Sequence, residues 1–486
     1  MSRIDNRGGK RYIVPVQPKG GAAMSDPDTG RRMQTVHREK HAQDMTQGSI
    51  LRHLIVYAVP MILGNLLQLT YNAVDSVIIG KLLGEDALAA VSTSGPIMTI
   101  LVLGASGLSL GASVLISRFY GAKDPERVKR EFSTTLLFGL FFSLAVFLAG
   151  YALSGPVLVW IRTPDSAMAE ARVYLRIVLV GFLFTFQYNI LSASLRGIGD
   201  SRTPVYFLGL SCVGNMVLDV LLVAVIPLGV AGAALATTLS QAVCTGLCVL
   251  YIRKRIPELH LDRQDLRVDP DLLKQTLRLG SITVLQQSAQ PVGKLFIQKA
   301  INAQGVIAIG AFNAASKLDD YARIPTQSIG SAIMTGTAQN RGAGRQDRER
   351  DCFRKGVLLA LAYYPLIFLL VRLVRRPAAA LLCPDGSTEM VAMAAEYLAV
   401  KAWFFVMPCL TNTVQGHFSG ISQMRIVLAG TLLQITVRTV MVLLWVPKMG
   451  IVGEAYACFA GWICQVLLQY GIYFLHRFRE ARSRQT

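Results

Sequence analysis

Along most of this chain apolar residues do not alternate with polar ones. They run on in long segments broken by short charged loops. The segments fall at 54–80, 86–117, 132–160, 172–195, 203–226 and 230–252. After a charged linker from Arg253 to Arg267, six more follow at 277–300, 305–338, 356–373, 390–416, 426–446 and 450–475. About 20 apolar residues in a helix cross a bilayer core, and a backbone in lipid must satisfy its polar groups internally. The pattern therefore predicts an all-α integral membrane protein with twelve transmembrane helices in two six-helix lobes. The boundaries divide the chain into a tail (1–44), a first lobe (45–252), a linker (253–276), a second lobe (277–475) and a second tail (476–486). The first tail is basic and rich in Gly, Pro and Arg, without a run that could serve as a signal peptide, and reads as disordered. Met45 is an alternative start, because Met-Thr-Gln-Gly-Ser-Ile leads directly into the first span.

Polar positions inside the spans carry the chemistry. In the first, Asn65, Gln68, Asn72 and Asp75 are spaced by three, four and three and so share one helical face. A carboxylate at mid-membrane costs about 2.5–3.5 kcal/mol on insertion scales, which usually marks an ion or proton path. The competing reading is an interfacial anchor at the end of a long span. Pro60 removes a backbone donor and bends this helix. In the fifth span Asn215 and Asp219 lie four apart on one face, and the sixth adds Thr237, Thr238, Ser240 and Gln241. Two carboxylates with amide and hydroxyl oxygens suit a hard cation or a retained proton; for the two threonines, small-residue packing is the alternative. The second lobe is basic instead, with Lys294, Lys299, Lys317, Arg323 and Lys401. Asp319 with Arg323, or Lys317 with Asp320, form pairs at helical spacing, whereas Lys294 and Lys401 have no partner legible in sequence. Gln286, Gln287 and Gln290 either line a polar path or bond across helices.

The halves repeat. Gly84-Glu-Asp-Ala-Leu-Ala-Ala90 aligns with Gly305-Val-Ile-Ala-Ile-Gly-Ala311, Arg118-Phe-Tyr-Gly-Ala122 with Gln339-Asn-Arg-Gly-Ala343, and Leu228-Gly-Val-Ala-Gly-Ala-Ala234 with Met449-Gly-Ile-Val-Gly-Glu-Ala455. Six spans per repeat make the halves parallel, with a substrate path between them. Asp75, Gln68 and Asp219 align with Phe296, Ala289 and Val440, so the acids belong to the first lobe alone.

Of the 486 residues, 52% are hydrophobic and 16% charged, against about 25% charged in soluble domains. The formal charge of +19 sits in loops and tails, which points to topology and anionic headgroups rather than nucleic acid. Basic loops after even-numbered spans, and both basic tails, place those loops and termini in the cytoplasm. The eight Cys contain no CxxC and give neither a disulfide framework nor a metal site. With no HExxH, GxSxG or P-loop, an enzyme or ATP-driven pump is not supported. Movement of substrate must then be ion-coupled or facilitated.

The order Pro60…Gln68…Asn72-Ala-Val-Asp75…Gly80…Ala87-Leu-Ala-Ala90, then Gly197…Pro204…Asn215…Asp219…Gly229-Val-Ala-Gly-Ala-Ala234 and Pro325…Gln339-Asn340-Arg-Gly-Ala-Gly344, resembles the multidrug and toxic compound extrusion (MATE) transporters, from about Met45 to the last span. The resemblance is to the DinF-like bacterial branch with a cation site in the first lobe. It implies export of cationic amphipathic compounds in exchange for H+ or Na+ by rocking of two lobes, in the bacterial plasma membrane, with no other cofactor. It assigns cation or proton coupling to Asp75, Asn215, Asp219 and Thr237, which would also hold Na+. Gln68, Asn72, Pro60, Gln286, Gln287 and Lys294 are expected in the substrate path or gate. A second-lobe site needing acids in spans 7 and 10 looks absent, since Gln286, Gln287 and Lys401 stand there. Expected partners are small amphipathic substrates and the bilayer, with no nucleic acid, and one chain suffices as a monomer. The alternative is a flippase or exporter of an anionic, lipid-linked substrate using the basic second lobe; a non-transporting scaffold would need neither acid.

Overall fold

In the computed structural model the described residues are 42–383 and 386–483, without the side chains of 73–89, 480, 481 and 483, together with the backbone of Ile4–Asp5 and Tyr12–Ile13. Those last two stretches pair antiparallel within the unit Met1–Lys40. The expected disorder of the first tail otherwise falls outside the described residues.

The unit from His41 onward is helical throughout. Its helices are α1 (Ile50–Gly121), α2 (Pro125–Trp160), α3 (Asp165–Gly197), α4 (Arg202–Asp219), α5 (Gly229–Arg255), α6 (Pro270–Asn302), α7 (Val306–Gly342), α8 (Gln346–Leu382), α9 (Thr388–Phe404), α10 (Val406–Gly420), α11 (Met424–Met449) and α12 (Val452–Ser483). A π-helical stretch, Val220–Val225, extends α4, and a 3-10 turn, Pro257–Leu259, opens the linker. Local signals set several starts. Asp124 and Asp269 accept backbone N–H bonds ahead of Pro125 and Pro270, an Asx cap followed by proline, and Ser387 caps its helix by accepting from Met390 N–H.

The helices match the expected spans with three differences. The helical assignment runs unbroken through Ile50–Gly121, and the turn expected between spans 1 and 2 lies where side chains are not described; its described stretches Ile50–Asn72 and Ala90–Gly121 are each apolar enough to cross. Span 10 is a bent pair, α9 and α10, meeting at 50°. Pro408 in the first turn of α10 has no N–H for the helical ladder, and Phe405 is the hinge residue between them. Finally, nine spans among the described residues are long and apolar enough, ten with the bent pair. The other two helices, α6 and α7, have 33 and 37 residues, ample in length, but their glutamines and charges dilute the apolar signal.

Each lobe has its own apolar core. Ala90, Leu158, Ala171, Leu175 and Leu179 form one in the first lobe, and Ile297, Phe312, Tyr397, Leu398, Val442 and Ala455 one in the second. The repeat-equivalent helices α2 and α8 expose large apolar side chains such as Phe141, Leu148, Leu366 and Leu373, as lipid-facing helices do. The lobes meet most closely at the basic end of the molecule. There a β-carbon on Gly121 would collide with the Gln339 carbonyl, and one on Gly342 with the Arg118 carbonyl. These two glycines are repeat partners, so the ends of α1 and α7 cross in mutual backbone contact that only glycine permits.

The segment just before α1 spans that contact. Met45 N–H donates to Gln339 Oε1 at 2.9 Å, and Met45 O accepts from Asn340 Nδ2 at 3.3 Å and Arg348 Nη2 at 3.2 Å. Arg345 Nη1 donates to Thr46 O at 2.8 Å, and Lys123 Nζ meets Asp44 Oδ2 at 2.6 Å. Residues 44–46 thus strap the first lobe to the second. The linker is anchored too: Ser133 Oγ bonds Arg267 O, and Thr276 Oγ1 donates to Glu131 Oε1 at 2.5 Å.

Candidate functional site

Asp219 closes α4 and is buried, as is Asn215 one turn before it. Asn215 Nδ2 donates to Asp219 Oδ2 at 2.9 Å, and Asn215 Oδ1 accepts from the Tyr71 hydroxyl. The spacing of four that placed both on one face therefore becomes a direct bond. Directly after Asp219 the backbone passes into the π-helical stretch Val220–Val225. One extra residue per turn loosens the carbonyl ladder, and π-turns recur at functional sites for that reason. Pro227 and Gly229, whose φ is +59°, then turn the chain into α5. On α5, Thr237 Oγ1 donates to Ala233 O of its own helix at 3.2 Å, and Thr238 Oγ1 to Ile177 O at 3.2 Å.

The first span of α1 lies between this site and the opposite lobe. On one side Gly64 faces Val205 of α4, and Tyr71 reaches Asn215. On the other, Tyr57 meets Thr335 at 2.9 Å, Asn65 donates to Ser328 Oγ at 3.4 Å and Thr70 meets Tyr321 at 3.3 Å, all on α7. Asn65 thus bonds across the lobes. Gln68 and Asn72 are exposed, Pro60 is half-buried inside the helix, and the side chain of Asp75 lies outside the described residues. A carboxylate, an amide and a phenol at one buried point suit a proton or a small hard cation. Asp219 and Asn215 would hold it, with the Asp75 and Thr237 contributions resting on sequence alone.

The second lobe holds a charge cluster that the sequence concealed. Glu454, buried near the start of α12, accepts from Tyr397 OH at 2.5 Å, Lys401 Nζ at 3.3 Å and Arg438 Nε at 3.1 Å, with a second contact from Arg438 Nη2. Lys401, also buried, lies over the rings of Tyr397 and Trp462. The reading that Lys401 lacks a partner is thereby corrected. Three different helices supply the cluster, so no spacing within one helix could reveal it. The lone signal was Glu454 itself, an acid just inside the last span. Asp319 and Arg323 do pair, at 3.8 Å, while Lys317 is exposed. Lys294 is exposed, Gln287 is half-buried, Gln286 bonds Thr431 at 3.3 Å and Gln290 bonds Gln434 at 3.4 Å. The glutamines of α6 thus bond across to α11.

The MatE family model matches residues 60–221 and 269–444, covering both lobes. This chain belongs to the MATE transporter family. It is 33% identical over 310 residues to the "Probable multidrug resistance protein YpnP" of Bacillus subtilis, covering 63% of this chain and 68% of that protein. It is 24% identical over 377 residues to the "FAD transporter" of Shewanella oneidensis, covering 76% and 81%. Among solved structures, an outward-facing MATE multidrug resistance transporter superposes with a TM-score of 0.84 at 22% identity, covering 92% of this chain and 99% of that one. That likeness establishes the fold, and family membership with the apolar helices makes the chain a multi-pass membrane transporter, not an enzyme.

Proposed function

We propose that this MATE transporter is a multidrug exporter of the bacterial plasma membrane that exchanges cationic amphipathic compounds for H+ or Na+ at a first-lobe site. The carrying observation is the buried Asp219, bonded to Asn215, which is bonded in turn to Tyr71 on α1. Placing a charge there is costly without a cation, so occupancy by a proton or Na+ and occupancy by a cationic substrate compete. Tyr71 links the site to α1, and α1 rests on α7 of the second lobe. Neutralising Asp219 therefore changes how α1 is held, and α1 transmits this to the lobe interface through Asn65–Ser328 and Thr70–Tyr321. Such a chain of packed and bonded groups is a physical route for coupling. Asp75 completes the site in this reading, as in the DinF-like branch, and the basic end with both termini faces the cytoplasm. The chain works as a monomer, since both lobes are in it.

Ethidium efflux from cells, with external Na+ and pH varied independently, tests the proposal. Asp219→Asn should lose gradient-driven efflux at unchanged membrane expression, and so should Asp75→Asn. Full efflux by Asp219→Asn would overturn it.

A second reading, export of an anionic substrate, is favoured by one observation: the Glu454 cluster holds two cations for one carboxylate. A relative named as an FAD transporter fits that reading. Uptake of flavin nucleotide into inverted vesicles, unaffected by Asp219→Asn, would select it.

A further inference from the structure

Several arginines at the basic end have partners. Arg127, Arg130, Arg341 and Arg350 stand within ion-pair distance of carboxylates, and Arg345 and Arg348 donate to backbone carbonyls. Arg118, Arg278 and Arg425 are among those that are exposed and without an ion pair among the described residues. All three line one cavity of about 530 Å³, which His476 also lines and no carboxylate does. The neighbouring cavity at the same end is lined by Asp124, Asp269 and Asp271 and is electrically mixed.

The cavity has a depth profile. Arg118 is in the last turn of α1, and Leu115 lies one turn earlier, toward the apolar span. Arg278 is in the third turn of α6, and Ile282, one turn on, is further along the helix. Arg425 begins α11 beside Ile426. For Arg118 and Arg278 an apolar side chain thus lies about one helical turn, about 5 Å, inward of the cation, and Ile426 adjoins Arg425. A free anion would use the rim and leave the apolar floor unused; a lipid uses both. The cavity also crosses the lobe boundary, since Arg118 belongs to the first lobe and Arg278 and Arg425 to the second, with His476 on α12.

We propose that the cavity lined by Arg118, Arg278, Arg425 and His476 binds the phosphate headgroup of an anionic phospholipid, with its acyl chains against Leu115, Ile282 and Ile426. The bound lipid clasps the two lobes where Gly121 and Gly342 already bring them together, and so favours the state closed at the basic end. The inference is independent of which substrate is exported. Basic pockets between helices on the cytoplasmic side are suited to such headgroups.

The test uses the full-length protein in neutral detergent, titrated with dioleoyl phosphatidylglycerol, dioleoyl phosphatidylcholine or inorganic phosphate while the melting temperature is followed. Phosphatidylglycerol should raise it by about 2–4 °C, through binding to the folded state only, and the other two should not. Arg278→Ala/Arg425→Ala should abolish the shift, Arg278→Lys/Arg425→Lys should retain most of it, and Lys129→Ala/Arg130→Ala, elsewhere at the same end, should leave it intact. The proposal falls if phosphatidylcholine or phosphate produces an equal shift. It falls equally if the alanine pair keeps the full shift or if the Lys129/Arg130 pair abolishes it.

Discussion

Glu454 holds Lys401 and Arg438 at once, and this asymmetry sets the cost of losing each. Glu454→Ala leaves the buried Lys401 and the half-buried Arg438 unpaired, and removing one partner of a buried pair costs about 3–5 kcal/mol. Lys401→Met leaves Glu454 bonded to Arg438 and Tyr397 and replaces the stem with similar volume, so it should cost less. Melting of purified variants in detergent checks the order; a less stable Lys401→Met would contradict the cluster as described. In the first lobe the predictions concern function rather than stability. Tyr71→Phe removes one hydrogen bond to Asn215, worth about 0.5–1.5 kcal/mol, and should weaken coupled efflux severalfold while Asp219→Asn abolishes it. The Asn215–Asp219 bond was legible in the sequence, because residues four apart on a helix are neighbours. The Glu454 cluster was not. Lys401, Arg438 and Glu454 come from α9, α11 and α12, and which faces of three helices converge is decided by packing.

Among the elements, α1 carries the account. Its first span rests on α4 through Tyr71 and Gly64 and on α7 through Tyr57, Asn65 and Thr70. The polar stripe read from its spacing is therefore divided: Asn65 serves the lobe contact, and Tyr71, which the stripe does not include, serves the site. Residues at one helical angle share a face, but the sequence does not say what that face meets. The bend between α9 and α10 carried its own signal in Pro408, masked by the apolar run around it. The crossing of α1 and α7 gives a prediction at this scale. Gly121→Leu adds a side chain where the Gln339 backbone already sits, so the closed basic end should lose stability. Spin labels at Glu126 and Asp347, one on each lobe, should report a longer mean distance in Gly121→Leu than in wild type. An unchanged distance distribution would show that the contact does not hold the closed state.

For the whole molecule, an all-α membrane fold followed from hydrophobic run length. The strap of residues 44–46 did not, because short polar segments before a helix have no period to read. Its Asp44 carboxyl is partly buried, which raises its pKa, but hydrogen bonds from Lys123 and Thr46 outweigh this and hold it below the ordinary 3.8. A lowered carboxylate pKa contributes stability that is complete above the ordinary value and lost as pH falls through the lowered one. The Asp44–Lys123 link is consequently constant over about pH 5–8, and pH dependence of transport in that range must originate elsewhere. Asp44→Ala should leave the shape of the pH profile for efflux unchanged; a shifted profile would implicate the strap in coupling.

In the proposed function a coupling cation and a cationic substrate exclude one another at Asp219. The direct measurement is ion release on substrate binding to purified protein, read as protons in weakly buffered solution and as displaced Na+ with a radioactive tracer. Addition of ethidium should release one of the two ions from the wild type and neither from Asp219→Asn. Equal release from both proteins would contradict the account.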